Sequence, residues 1–186
     1  LLRILVGVAA PENGVVRIDG VGQQSVSLAQ LAGAGVFFLP ARDLLHPLLS
    51  VWSQMQSMCD RFATSVDLTE IARHMGIADR VHQKPDTLSG GERRRAELAV
   101  ALARAPRVLV ADEPLRGVTP IDADAIMHAL RSVAARGGAV VVTGHELPLL
   151  LPHLDRVTWC HQGQTRDYHS VTEAMADFAF RRDFLP

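Results

Sequence analysis

Short apolar runs alternating with amphipathic helical segments predict an α/β domain with a largely parallel sheet flanked by helices. Three observations carry that prediction. First, Val36-Phe37-Phe38-Leu39, Val108-Leu109-Val110-Ala111 and Ala139 to Thr143 are continuous apolar stretches, as in strands buried on both faces. Second, Ile121 to Arg136 places Ala123, Ile126, Met127, Leu130 and Val133 on one side of a helix between the last two runs, and Gly137-Gly138 ends it. Third, helical spacing dominates from Arg42 to about Pro106, for example Leu68, Ile71, Ala72 and Met75 before Gly76. A mostly helical subdomain, approximately residues 42–106, is therefore expected inside a single domain spanning 1–186.

The remaining elements follow in order. Leu1 to Val8 reads as the end of a helix, stopped near Pro11 and Glu12-Asn13-Gly14. Val15 to Asp19 alternates as a half-buried strand does, and Leu28 to Ala32 is a short helix. A long Ala- and Leu-rich helix runs from about Gly90 to Arg104. A shorter helix covers Leu147 to Leu154. Val157 to His161 and Gln164 to Tyr168 pair as a hairpin around Gln162-Gly163, and Val171 to Phe180 is helical. Trp52, Trp159 and Tyr168 are expected to be packing residues.

Composition narrows the function. A net charge of −1 gives no electrostatic footprint for nucleic acid. The run Arg93-Arg94-Arg95 is expected to be a solvated helix face. Cys59 and Cys160 lack metal or redox spacing and read as free thiols in a reducing compartment. No apolar run approaches the roughly 18 residues of a membrane span, and no signal peptide is visible, so membrane contact is expected through a partner. The opening Leu1-Leu2-Arg3-Ile4-Leu5 has neither Met nor a cap and reads as part of a longer chain.

Four motifs carry chemistry. In Leu88-Ser89-Gly90-Gly91-Glu92, Ser89 and Glu92 have capping-box spacing. Capping does not explain the paired glycines, which weaken a first turn; close approach of an anion to bare N–H groups does. Asp112-Glu113 ends an apolar strand, at the edge where open α/β sheets bind ligands. Adjacent carboxylates there point to a cation. Thr119-Pro120-Ile121-Asp122 reads as a helix start, with Thr119 as cap. Thr143-Gly144-His145-Glu146 follows the next apolar strand, where a lone His is structural or exposed unless a site recruits it.

Taken in this order, the motifs resemble those of the ATP-binding-cassette (ABC) ATPases, which have a P-loop NTPase-like fold. Leu1 to Gly20 also resembles the family segment that follows the P-loop, so the likeness spans nearly the whole chain and fades after Leu154. The resemblance implies ATP and Mg²⁺ as ligands. It makes Asp112 a Mg²⁺ ligand, Glu113 the catalytic carboxylate and His145 a γ-phosphate contact. It makes Ser89, Gly90, Gly91 and Glu92 the signature acting on nucleotide held by a partner subunit, and puts Asp122 in the D-loop. It further implies a homodimer or heterodimer of cassettes on a transmembrane permease subunit, at the cytoplasmic face of the membrane.

The chain departs from the family pattern twice. These 186 residues hold no GxxxxGK[ST], and Lys84 is the single lysine. The family's adenine-stacking aromatic is absent as well. A helix N-terminus contributes about 0.3–1 kcal/mol to anion binding, whereas micromolar affinity needs about 8 kcal/mol. Weak or no ATP binding is thus expected of these residues alone, with the P-loop lost by truncation. The second departure is Leu39-Pro40-Ala41, where the family has Gln after the apolar-Pro pair. Leu44 to Val51 still resembles the segment facing the membrane subunit. Two alternatives remain open: a soluble, non-transport ABC ATPase, or a catalytically dead remnant that only dimerises.

Overall fold

The computed structural model describes residues 1–18, 20–23 and 27–184. It divides into two compact units, Leu1–Thr143 and Gly144–Pro186.

In the first unit, β1 (Val16–Ile18) and β2 (Val21–Gln23) form an antiparallel pair. Asp19, read from sequence as the end of the first strand, lies outside the described residues. The central sheet is parallel, in the order β3 (Val36–Leu39), β4 (Val108–Ala111), β5 (Ala139–Val142). Its register aligns Leu39 with Ala111 and Ala111 with Val142. The three strands therefore end level, and the residues after them form one row along the C-terminal edge. β4, the middle strand, buries Leu109, Val110 and Ala111, which is why its sequence is continuously apolar rather than alternating. On one face Val110 packs with Val6 and Leu31, flanked by Val36, Phe38 and Val108.

The helices are α1 (Leu2–Leu5), α2 (Leu28–Gly33), α3 (Val51–Phe62), α4 (Leu68–His74), α5 (Gly90–Ala103) and α6 (Pro120–Ala135). Ser27 and Gln30 form a capping box on α2, and Asp67 caps α4 through the Thr69 and Glu70 amides. α5 buries every residue from Ala96 to Ala103, so this part of it is a core helix packed on all sides. Its four alanines in that stretch let α3 and α4 pack closely against it. α6 buries Ala123, Ile126, Met127, Leu130 and Val133, the face its spacing predicts.

The second unit holds α7 (Leu147–Leu150), a 3-10 turn at Leu151–His153, the antiparallel pair β6 (Val157–His161) and β7 (Gln164–Tyr168), α8 (Val171–Ala176) and α9 (Phe178–Phe184). Gln162 and Gly163 at the hairpin tip have φ of 48° and 77°, the twist that a two-residue turn requires. Leu147, Trp159, Tyr168, Ala174 and Phe180 form its core. Both cysteines are free thiols.

Two sequence expectations need correction here. The first helix stops at Leu5, because Gly7 turns left-handed at φ 71° and the Val8 and Ala9 amides fold back on the Arg3 carbonyl. The expected helix from Val171 to Phe180 is two helices. Asp177 is extended, and its Oδ1 accepts from the Ala179 amide at 2.8 Å, which starts α9 afresh. The Tyr168 hydroxyl donates to its other oxygen at 2.9 Å, and this bond is the main cause holding the Asp177 carboxyl below its ordinary pKa.

Leu130 on α6, in the first unit, is 2% exposed. Leu130→Ala is expected to cost about 2–5 kcal/mol, by lost burial plus a cavity, measured by denaturant unfolding.

Candidate active site

The level strand ends bring Pro40, Asp112 and Thr143 side by side. The Asp112 amide donates to the Leu39 carbonyl at 2.9 Å, and the Thr143 amide donates to Ala111 at 3.0 Å. The Thr143 hydroxyl donates to Asp112 Oδ1 at 2.7 Å and accepts from the Glu113 amide at 3.1 Å. One side chain just after β5 thus orients the first carboxylate and anchors the start of the turn that carries the second. Glu113 has φ 43°, an uncommon left-handed conformation for a residue with a side chain. Its carboxylate lies 3.2 Å from Arg116 Nη1 and is 32% exposed, open enough to meet water.

α5 begins in the same unit. Ser89 Oγ accepts from the Glu92 amide at 3.3 Å, and Glu92 Oε2 accepts from the Ser89 amide at 2.9 Å, a complete capping box. The Ser89 amide is the main cause holding the Glu92 carboxyl below its ordinary pKa, helped by the Ser89 hydroxyl and by Arg80.

The two glycines turn out to be unequal. A Cβ at Gly91 would lie 3.1 Å from Asp122 Cγ and closer still to Oδ2, whereas a Cβ at Gly90 would meet nothing within 4 Å. Gly91 is bare because Asp122 occupies the space. The Asp122 carboxylate is in turn paired with Arg95, and its Oδ2 accepts from the Thr119 hydroxyl at 2.9 Å. Thr119 also caps α6, accepting from the Asp122 amide. Gly90 has no such neighbour within the chain.

The arginine run is not a solvated face, contrary to the sequence expectation. Successive helix residues point about 100° apart, so the three diverge. Arg93 reaches Asp43 at 3.6 Å, and Arg95 pairs with Asp122. Arg94 is 6% exposed. Its Nε donates to the Pro114 carbonyl at 3.1 Å and its Nη2 to the carbonyls of Asp112 and Glu113 at 3.0 and 3.3 Å. Its Nη1 donates to the Pro40 carbonyl at 2.8 Å and to Glu97 Oε2 at 2.7 Å. A cleft of about 320 Å³ borders this cluster, with Ala41, Gly90, Arg93, Arg94, Arg116 and Gly117 among its lining residues.

His145 belongs to the second unit. Its Nε2 lies 3.5 Å from Glu146 Oε1, its ring is 67% exposed, and its amide donates to Glu146 Oε2 at 3.3 Å. Within the first unit, then, the two carboxylates, the signature serine and glycines and Asp122 share one scaffold. Sequence reasoning missed Thr143, Arg94, Arg95, Glu97 and Arg116 as members. The Arg94–Glu97 pair had a signal in its i,i+3 spacing, and Thr143 stood in a recognised motif without a role; Arg95 and Arg116 had no signal outside the fold.

The donor set suits Mg²⁺ in one manner. That ion takes hard oxygens, commonly one or two carboxylates, and fills its shell with water and phosphate oxygens. Asp112, oriented by Thr143, is the residue that would hold it. Among the described residues no group of three or more His, Cys, Asp or Glu side chains is placed to hold a metal. A single oriented carboxylate would leave the rest of such an ion's shell to water and phosphate oxygens.

Comparison with known proteins gives the family and the fold. The family model for the ABC transporter matches residues 1–116. The lipopolysaccharide export system ATP-binding protein LptB of Acidithiobacillus ferridurans is 28% identical over 187 residues, covering 98% of this chain and 78% of that protein. The lipoprotein-releasing system ATP-binding protein LolD of Nitrobacter winogradskyi is 33% identical over 158 residues, covering 80% of this chain and 68% of that protein. A nucleotide-free ATP-binding cassette from an ABC transporter superposes with a TM-score of 0.82 at 16% identity, covering 100% of this chain and 82% of that one. The fold and the motif order define an ATP-binding cassette of the P-loop NTPase class. The chain belongs to the ABC transporter family, on the side of its ATP-binding subunits.

Two predictions arise from the α5 terminus. Gly91→Ala is expected to destabilise by about 1–3 kcal/mol through overpacking against Asp122, relieved by adding Asp122→Ala. Gly90→Ala is expected to change stability by about 1 kcal/mol or less; chemical denaturation distinguishes them. The second concerns acid. Because the folded Glu92 carboxyl is depressed, its stabilisation is complete above the ordinary value of 4.5 and is lost as pH falls through the lowered one. Glu92→Gln should flatten the acid limb of Tm below the ordinary carboxyl value of 4.5.

Proposed function

We propose that this chain supplies the hydrolytic carboxylates and the signature helix of a transporter ATPase, with Glu113 as catalytic carboxylate and Asp112 on Mg²⁺. The observation that carries this reading is the Thr143 hydroxyl, which holds the Asp112 carboxylate and the Glu113 amide together at the C-terminal edge of the sheet. In the reaction, water oxygen bonds to the γ-phosphorus, the bond to the β–γ bridging oxygen breaks, and ADP and phosphate leave. The Glu113 carboxylate orients the water and accepts its proton, a role that contributes roughly 10²–10⁴-fold. When bound, Mg²⁺ neutralises charge on the phosphate oxygens. Ser89, Gly90, Gly91 and Glu92 serve a nucleotide held by a second cassette, identical or related. Asp122 braces Gly91 and crosses toward that partner, while His145 contacts the γ-phosphate.

No helix among the described residues is long and apolar enough to cross a membrane. Leu48 and Leu49, exposed at 70% and 44%, lie in the segment that fits a permease subunit. This supports a peripheral position on the cytoplasmic face of the membrane. Helices α3, α4 and α5 make up the inserted helical subdomain of approximately residues 42–106. Ala41 favours a second reading, a cassette that dimerises without turnover, because an alanine methyl cannot bind a metal or sense phosphate.

Two measurements test the proposal. In the full-length protein, Glu113→Gln is expected to lower kcat by about 10²–10⁴-fold with nucleotide affinity retained. Absence of ATP hydrolysis by the wild-type protein would leave the dimerising remnant as the answer. The 186-residue chain itself, lacking GxxxxGK[ST], is expected to bind Mg·ATP more weakly than about 100 μM; micromolar binding by calorimetry would contradict this.

A further inference from the structure

We propose that Arg94 is a positioning residue for the hydrolytic turn, held in place by Glu97, and that it links the loop after β3 to the loop after β4. The proposal rests on reading Asp112 and Glu113 as the carboxylates that meet nucleotide and water.

The turn itself sets the requirement. Glu113 is left-handed at φ 43°, a state that side-chain-bearing residues hold only when their surroundings impose it. That twist aims three consecutive carbonyls, those of Asp112, Glu113 and Pro114, at one point. Arg94 fills the point and donates to all three. The same guanidinium donates to the Pro40 carbonyl at 2.8 Å. The next residue, Ala41, has no polar atom in its side chain, so Arg94 supplies a polar connection between the two loops. A planar fork of five N–H groups suits acceptors converging from several directions; a lysine ammonium offers three donors from one point.

Glu97 explains how the cation can sit there. Arg94 and Glu97 are 6% and 3% exposed, and the carboxylate lies 2.7 Å from Nη1, three residues along the same helix. The pair is neutral as a unit, and it makes the first turns of α5 rigid with respect to the catalytic turn. Movement of the signature helix and the geometry of Glu113 are thereby tied within one chain. Arg93 on Asp43 adds a second contact to the loop after β3, and Arg95 on Asp122 reaches the first turn of α6.

The test uses the full-length protein. Arg94→Met combined with Glu97→Leu removes both charges together and leaves no lone buried ion; Arg94→Lys retains the charge without the fork. Amide hydrogen exchange is read over residues 111–117, alongside steady-state kcat and KM for Mg·ATP. The double variant is expected to keep Tm within about 5 °C. Exchange in that loop should rise about tenfold or more, with the interior of α5 still protected. kcat should fall about 10- to 100-fold with KM within about threefold, and Arg94→Lys should restore only part of the loss. Should the double variant not fold, Arg94→Gln with Glu97→Gln replaces it under the same readings. Native exchange in the loop overturns the proposal. So does raised exchange with unchanged kcat, which would make Arg94 structural only. A wild-type protein without ATPase activity refutes the reading of Asp112 and Glu113 instead, and loop exchange then decides on Arg94 by itself.

Discussion

A guanidinium taken out of water must have every N–H satisfied and its charge balanced. At Arg94 both conditions are met by the ends of two neighbouring strands and by Glu97. Removing one member of such a buried pair costs about 3–5 kcal/mol, against a total stability of about 5–15 kcal/mol for a domain. Arg94 and Glu97 therefore act as one element. Because the acceptors are backbone carbonyls, the contact fixes the course of the main chain. The carboxylates of Asp112 and Glu113 inherit their positions from it, and Thr143 completes the arrangement from the other neighbouring strand.

The parallel register makes this economy possible. Leu39, Ala111 and Val142 are aligned, so three loops leave the sheet at the same level. One arginine from a helix packed beside them can reach two of these loops, and one hydroxyl at the start of the third loop can reach the middle one. Open α/β sheets place ligand sites at this edge for the same reason.

The signature helix shows how one short motif answers two demands. Ser89 and Glu92 satisfy the orphan amides of the first turn reciprocally. Gly91 is bare to admit the Asp122 carboxylate, which Arg95 and Thr119 hold. Gly90 alone is bare toward open space. The paired glycines thus divide into one that serves packing within the chain and one whose Cα borders open space.

Much was legible in the sequence because it rests on local physics. The continuous apolar runs gave the three parallel strands, the 3.6-residue spacing of Ala123, Ile126, Met127, Leu130 and Val133 gave the buried face of α6, and Ser89 with Glu92 gave the cap of α5. Asp112 and Glu113 were placed at a strand end by the same patterning. Local spacing could also be read too simply, as at Asp177, where a capping carboxylate splits what looked like one helix. Three adjacent arginines read as solvent-exposed for a comparable reason: charge argues for water until an acceptor is known. What only the tertiary structure decided is where those acceptors lie. The Arg94 partners Pro40, Asp112, Glu113 and Pro114 are 18 to 54 residues away in the chain, and Asp122 is brought onto Gly91 by folding alone. Sequence periodicity records which side of an element is buried; it does not record which carbonyls converge on a buried cation, because that depends on strands meeting in register.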